Sequence, residues 1–541
     1  MAEIGKEWWR GGVIYQIYPR SFMDSNGDGV GDLPGILQKL DHVASLGVDA
    51  IWISPFCKSP MKDFGYDVSD YRDVDPVFGT LEDFKAVLNR AHELGLKVLT
   101  DQVWCHTSDQ HVWFNESRQS RDNIKADWYV WADPKPDGTP PNNWLSWFGG
   151  PAWTWDARRR QYYLHHFLSS QPVLNYWHED VCNAIKKVAE FWMELGVDGF
   201  RLDVSNYYYC DRDLRDNPAR GPNDPIPEDP PASNPNYHQL RIHSVNQPEN
   251  LEFVKEIRAL IDRWPDRCLL GEAAGEGSAD VAAQYTQGND RMNMAYTFGL
   301  LGSDMTIDPV IASVHNVERI VGDGWICWAT SNHDFKRGPS RMPGEVPHED
   351  KALYSTALGL TLRGSYCMYQ GEELGLTQAE LSFEDLQDPY DKALYPDHVG
   401  RDGGRTPLPW MSSVPQAGFS MAAKTWLPLS PLHFPLAVDQ QEANADSVMN
   451  KVRALIKWRK ETPAMRLGAI EVLETAKPVF AFRRTYEGQT FTCVFNASTE
   501  DASIKLAELS GAVSLLDVSR HAALRNETLM LAPYAYAIFS H

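Results

Sequence analysis

Three short runs, far apart in the chain, each end in a carboxylate at the exit of an apolar stretch. They are GFRLDV (Gly199 to Val204), LLGEA (Leu269 to Ala273) and ATSNHD (Ala329 to Asp334), and they deliver Asp203, Glu272 and Asp334. Each opens on small or apolar residues, as a buried strand does. Three acids brought together from three strand ends supply what cleavage of an acetal needs. One carboxylate is charged, to attack or to stabilise a cation, and another is protonated, to release the leaving oxygen. Arg201 lies two residues before Asp203, so on a strand both side chains point the same way. A fixed cation there keeps a nucleophilic carboxylate ionised and weakly basic.

The elements that must position these acids are legible from a repeated punctuation. An amphipathic helix ends at Leu-Gly and an apolar strand follows at once, in SLGVDAIWIS, ELGLKVLTDQV and ELGVDGFRLDV. Gly47, Gly95 and Gly196 stand where a helix C-terminus takes a left-handed residue. Eight strand candidates follow, near 12–18, 48–54, 97–103, 199–204, 267–273, 293–299, 325–331 and 364–370. Helix alternating with strand makes the class α/β, and eight units predict a (β/α)8 TIM barrel, whose chemistry sits at the C-terminal ends of its strands. An open doubly wound sheet is the alternative, but no glycine-rich phosphate fingerprint follows the first strand.

Two inserts interrupt the alternation. Residues 105–174 follow the third strand, are rich in Trp, Asn, Pro and Gly, and predict an irregular subdomain over the barrel mouth. Residues 206–250 contain RDNPARGPNDPIPEDPPASNPN; so many prolines forbid regular helix, and a lid beside Asp203 is expected. The barrel is thus expected at 1–104 and 175–461. From 462 to 541 short alternating strands predict a C-terminal antiparallel β-domain.

Composition narrows the partners. Of 541 residues 43% are hydrophobic, a globular proportion. The formal net charge of −22 repels nucleic acid and anionic membranes and suits a neutral or cationic small ligand. With 19 Trp, 22 Tyr and 21 Phe there are rings for sugar C–H faces to stack on, although many must be core. No 18-residue apolar run spans a membrane. MAEIGKEWWRGG lacks the apolar stretch of a signal peptide, and the eight cysteines are scattered, so a cytoplasmic protein with reduced thiols is expected.

The loop Asp24-Ser-Asn26-Gly-Asp28-Gly-Val30-Gly-Asp32 carries a separate signal. Oxygen ligands at alternate positions with a glycine at the sixth match the start of a calcium loop. Gly35 stands where an EF-hand would place its bidentate glutamate, and an Asp/Asn/Gly turn without metal is the other reading.

The order of VIYQIYPRSF, DSNGDGVGDL, GYDVSDY, DQVWCHTS, GFRLDV, GEA, SNHD and RDGGRTPLPW resembles the α-amylase superfamily, glycoside hydrolase family 13, and within it the α-glucosidase and oligo-1,6-glucosidase group. The resemblance runs essentially end to end. It implies Asp203 as the nucleophile that forms a covalent glucosyl ester, Glu272 as the acid–base, and Asp334 as the third carboxylate that grips sugar hydroxyls. It implies that Asp63, Tyr66, His106, Phe148, His333 and Arg401 line the pocket for the terminal glucose. Tyr66 would stack on the sugar ring, and the two histidines would donate hydrogen bonds to it. Arg405, in the same segment as Arg401, is a further candidate. The resemblance also implies a structural Ca²⁺ or Mg²⁺ held by Asp24, Asn26, Asp28, the Val30 carbonyl and Asp32, and no organic cofactor.

Three positions depart from the family pattern. Cys105 replaces the usual asparagine before His106, Val173 replaces an aspartate in QPVLN, and Val204 resembles members that accept α-1,6 links. Linkage stays open. The function expected is a retaining, exo-acting α-glucosidase for short α-glucosides, with water or an alcohol as acceptor. An aromatic acceptor side around Trp104, Trp147 and Phe148 would favour transfer, and cleavage of sucrose is a narrower variant. A non-catalytic relative of the kind found as amino-acid-transporter heavy chains is disfavoured, because all three acids are present.

Overall fold

The computed structural model describes residues 7–226, 231–273, 275, 277–302, 304–398, 400–506, 509, 512–515, 518–525 and 528–541. Residues 227–230 of the expected lid lie outside the described residues. Eight parallel strands close a barrel: β1 Val13–Ile17, β2 Ala50–Ile53, β3 Lys97–Gln102, β4 Gly199–Leu202, β5 Cys268–Glu272, β6 Met294–Tyr296, β7 Ile326–Ala329 and β8 Ser365–Tyr369. Each falls within its expected range. β8 pairs back onto β1, with Val13 opposite Tyr366, so the barrel has no open edge. All five residues of β1, β5 and β8 are buried, which is why these strands read as continuous apolar runs.

Helices alternate with the strands: α1 Leu33–Ser45, α2 Leu81–Glu93, α3 Glu179–Leu195, α4 Pro248–Ile261, α5 Ser278–Thr286, α6 Ile307–Ile320, α7 His348–Thr361 and α8 Val448–Glu461. Gly47, Gly95 and Gly196 have φ of 86°, 77° and 103°, the left-handed turn that leads each helix into its strand. α7 is buried on every side from Asp350 to Thr361, because the C-terminal sheet covers the face it turns away from the barrel. That sheet begins at Ala469, after a short helix Pro463–Leu467, and its longest strand is Thr528–Ser540. Buried Arg484 ties it to the barrel, donating to the Thr361 carbonyl at the end of α7 and to the Gly468 carbonyl.

The insert after β3 holds a three-stranded sheet of Trp131–Ala132, Trp153–Asp156 and Gln161–Leu164 around a small core. Cys210, from the expected lid, belongs to that core with Trp144, Trp153 and Leu164. Among its described residues before Pro248, the proline-rich segment has no regular structure beyond a 3-10 turn at Pro235–His238. Asparagines anchor it. Asn143 donates from Nδ2 to the Asn217 carbonyl and accepts at Oδ1 from the Asn217 amide, both at 2.8 Å. Asn236 Nδ2 donates to the Leu145 carbonyl at 3.1 Å. Side-chain hydrogen bonds from Asn143 and Asn236 thus tie described parts of segment 206–250 to the inserted subdomain.

Candidate active site

β4 and β5 end side by side and are stitched together beyond their last pair. Ser205 donates to the Glu272 carbonyl from its amide at 3.0 Å and from Oγ at 2.7 Å. Between them Val204 takes φ of 33°, a conformation costly for a β-branched residue, and its amide donates to Glu272 Oε2 at 3.0 Å. The residue after the expected nucleophile thus holds the expected acid–base in place.

Arg201, fully buried, is the hub. Nη1 donates to Asp203 Oδ1 at 2.6 Å and to Asp101 Oδ1 at 2.9 Å. Nη2 donates to Glu272 Oε2 at 2.7 Å and to the Tyr296 hydroxyl at 2.6 Å. One planar fork thereby fixes three carboxylates, a geometry no lysine reproduces. Trp52 Nε1, at 3.1 Å, and the Tyr66 hydroxyl, at 3.2 Å, complete the shell of Asp101.

Burial raises the carboxyl groups of Asp203 and Glu272 to about 7, reinforced by their acidic neighbours and opposed by Arg201. One guanidinium cannot balance three acids, so the cluster keeps a proton near neutrality. Both of these donors to Glu272 meet Oε2, and neither reaches Oε1. Asp334 behaves oppositely. Burial would raise its pKa, but the guanidinium groups of Arg401 and Arg405 hold it well below the usual carboxylate range. Arg405 Nη2 is 3.0 Å and Arg401 Nη2 3.5 Å from its Oδ1. An ionised acid therefore stands beside a protonatable pair, the division of labour that acetal cleavage requires.

The pocket containing these groups encloses about 740 Å³ including its mouth, within the range of ligand sites. Asp203, Glu272, Asp334, Asp63, Tyr66, His106, Phe148 and Arg401 all line it. Gln171 Nε2 donates to Asp63 Oδ2 at 2.7 Å. Burial and then nearby Asp388 raise Asp63 to about 7, against Arg401. Arg401 is wedged against the stacked rings of Phe148 and Tyr390, its Cζ lying 5.3 and 4.9 Å from their centroids.

Several side chains sit otherwise than expected. His333 lies behind the wall. Its Nδ1 meets Gln16 Nε2 at 2.8 Å and its Nε2 meets the Tyr66 hydroxyl at 2.6 Å, so both nitrogens are engaged by protein. Tyr66 stacks on His333 at 5.3 Å. His106 Nε2 lies 2.8 Å from the Tyr66 carbonyl, and burial lowers the pKa of both histidines, leaving them neutral. Cys105, which stands where the family pattern has asparagine, still reaches the Tyr207 carbonyl from Sγ at 3.4 Å. Trp104 is fully buried against Phe200, away from the pocket, whereas Trp147 and Phe148 line it.

Sequence reading missed Asp101, Gln171, Asp388 and Tyr296. Asp101 had a signal: it ends the apolar run KVLTD just as Asp203 ends GFRLD. Arg405 is stronger than its provisional standing, since it joins Asp334, the His333 carbonyl at 2.6 Å and Asp388 at 2.7 Å.

In the loop at 24–32 the side chains fold onto their own backbone. Asp24 Oδ1 accepts from the amides of Asn26 and Gly27, and Oδ2 accepts from the Gly29 amide and Ser420 Oγ. Asp32 caps α1 through the Gly35 amide. The donor set is all oxygen, as a hard divalent cation requires. Among the described residues, however, no three His, Cys, Asp or Glu side chains group to hold a metal. All eight cysteines are free and buried. No helix of the described residues is long and apolar enough to cross a membrane.

The family described as "Alpha amylase, catalytic domain" matches residues 16–468, and "Maltogenic Amylase, C-terminal domain" matches 470–538. A probable alpha-glucosidase of Rhizobium meliloti (strain 1021) is 52% identical over 94% of this chain and 92% of its own length. An oligo-1,6-glucosidase of Heyndrickxia coagulans is 36% identical over 92% of this chain and 93% of its own. The alpha-glucosyl transfer enzyme XgtA superposes with a TM-score of 0.94 at 50% identity, covering 99% of both chains. The trehalulose synthase MutB from Pseudomonas mesoacidophila MX-45 superposes at 0.88 with 31% identity, covering 99% of this chain and 100% of that one. Barrel, clustered strand-end acids and these matches together establish that the chain belongs to the α-amylase family of glycoside hydrolases, family 13, in its α-glucosidase group.

Proposed function

We propose that this enzyme is a retaining, exo-acting α-glucosidase that releases or transfers the non-reducing-end glucosyl unit of short α-glucosides. The observation that carries the proposal is the Arg201 fork, which holds Asp203 and Glu272 on adjacent nitrogens at one pocket wall. Asp203 Oδ2, the oxygen Arg201 leaves open, attacks the anomeric carbon while Glu272 gives its proton to the departing oxygen. The glycosidic C–O bond breaks as the ester C–O bond forms. Glu272, now charged, takes a proton from water or an alcohol, which displaces Asp203 and restores the α-configuration. Asp334, Arg401 and Asp63, which line the same pocket, hold the hydroxyls of the terminal sugar. The first-formed glucose from p-nitrophenyl α-glucoside, followed by ¹H NMR, is expected to be the α-anomer; a β-anomer excludes double displacement.

Transfer to alcohols is a second reading. Trp147, Phe167, Tyr207, Phe298 and Phe335 give the pocket an aromatic lining that disfavours water, and the similarity to XgtA points the same way. Product analysis with maltose or sucrose plus an added alcohol separates transfer from hydrolysis. The loop at 24–32 is our proposed site for structural Ca²⁺ or Mg²⁺, through Asp24, Asn26, Asp28, the Val30 carbonyl and Asp32. Its support is the alternation of oxygen donors, and it takes no part in bond cleavage.

A further inference from the structure

The leaving group and the incoming acceptor must both touch Glu272, so the wall around Glu272 faces them. Val204, Tyr207 and Gly275 form part of that wall, and Trp147 also lines the pocket. Segment 206–250 contributes Tyr207 to this wall and backs it with two buried side chains. Arg241 lies with its Cζ 4.0 Å above the Trp147 ring, and its Nη1 donates to the Tyr207 hydroxyl at 2.7 Å. Asn234 Nδ2 donates to the Trp147 carbonyl at 2.8 Å. Trp147 is therefore gripped by its ring and by its backbone from the same segment.

Gly275 shows how closely the guanidinium fits. A Cβ there would lie 2.7 Å from Arg241 Nη2, and Gly275 has φ of 102°, so the missing side chain and the arginine share one space. His166 backs the same wall, its ring edge-on to Tyr207 at 5.4 Å, and its carbonyl accepts from the Trp147 amide at 2.7 Å. The wall is built in layers, with aromatic rings facing the pocket and a cation from the proline-rich segment behind them.

We infer that Arg241 is a specificity-determining residue. By fixing Trp147 and Tyr207 it sets the width of the acceptor side and selects small leaving groups and acceptors over longer maltooligosaccharides. This rests on the α-glucosidase reading and adds the residue through which segment 206–250 acts. Arg241 is a positioning residue: it works through Trp147 and Tyr207, not on the reacting atoms.

The test compares kcat/KM for maltotriose with that for maltose in the parent, in Arg241→Met and in Tyr207→Phe. Arg241→Met keeps the length and apolar stem but loses the donors, and Tyr207→Phe removes only the hydroxyl that Arg241 holds. The maltotriose-to-maltose ratio is expected to rise roughly tenfold in Arg241→Met, the scale on which pocket contacts discriminate substrates. A smaller rise in the same direction is expected in Tyr207→Phe, and kcat for p-nitrophenyl α-glucoside is expected to be preserved in Arg241→Met, whose side chain stands behind the wall. Thermal unfolding establishes that both variants are folded. An unchanged ratio in both, or equal losses on both sugars, overturns the inference. A parent enzyme that releases glucose from neither sugar would remove the glucosidase reading, and this inference with it.

Discussion

Arg201 and Glu272 meet at 2.7 Å through the guanidinium nitrogen that Asp203 does not use. The proposed acid–base and nucleophile are therefore set relative to each other by a third residue, not by their own strands alone. Arg201→Lys keeps the charge but can reach only part of this shell. The expected result is a fall in kcat of about 10²-fold or more, the scale of losing a preorganised electrostatic contact. Melting temperature should fall as well, because buried carboxylates lose their partner.

Glu272→Gln separates the two chemical roles. A departing sugar alcohol needs the proton, whereas p-nitrophenolate does not. Turnover of maltose is expected to fall by about 10²–10⁴-fold, while formation of the ester from p-nitrophenyl α-glucoside persists and appears as a burst. Equal loss on both substrates would remove the acid role from Glu272.

The pH profile follows from burial. Asp203 and Glu272, each raised to about 7, titrate as a pair, and in the proposed mechanism only the singly protonated pair reacts. kcat/KM is expected to trace a bell near neutrality. Asp334 contributes to the rise at Glu272, so Asp334→Asn should move the alkaline limb of the residual activity to lower pH. Stability has its own sign. Unfolded acids titrate near about 4, so between about pH 4 and 7 the folded chain holds protons the unfolded chain has lost, and stability falls as pH rises. Melting temperatures across that window should fall less steeply in Glu272→Gln than in the parent.

The strand-end acids were legible because a barrel strand places its last residue at the site, and GFRLDV, LLGEA and ATSNHD each reduce to that rule. Asp101 obeys it too, but LTDQV runs on into DQVWCHTS, where His106 drew attention instead. Gln171 and Asp388 stand in irregular segments with no periodicity to place them. Trp104 was assigned to the acceptor side on residue type alone, although one residue either way along a strand exit decides between pocket and core. The prolines of segment 206–250 gave its irregularity correctly. Its anchoring did not show, because asparagines that bridge two loops look the same in sequence as asparagines that shape a single turn.

Asn143→Ala tests that anchoring. It deletes both reciprocal bonds to Asn217 and leaves a buried amide and carbonyl to find other partners, at about 1–3 kcal/mol. Faster limited proteolysis within segment 206–250 is expected, with KM raised more than kcat is lowered. Unchanged proteolysis would show that the apolar contacts of Cys210 suffice.

Chelation tests the loop at 24–32. If Ca²⁺ or Mg²⁺ binds the folded chain, EDTA should lower the melting temperature by a few degrees and added Ca²⁺ should restore it. Saturation at 100 times Kd contributes about 2.7 kcal/mol. Asp28→Ala should abolish the response while leaving kcat intact.

The covalent step is the claim on which the chemistry depends, and it is tested most directly by trapping. A glucosyl fluoride carrying a second fluorine on the ring slows both steps, so the ester accumulates and can be read by mass spectrometry of the intact chain and its peptides. A single glucosyl adduct on the peptide carrying Asp203, absent in Asp203→Asn, is the expected result. An enzyme that turns over maltose yet carries no adduct, or carries it on another residue, would contradict double displacement at Asp203.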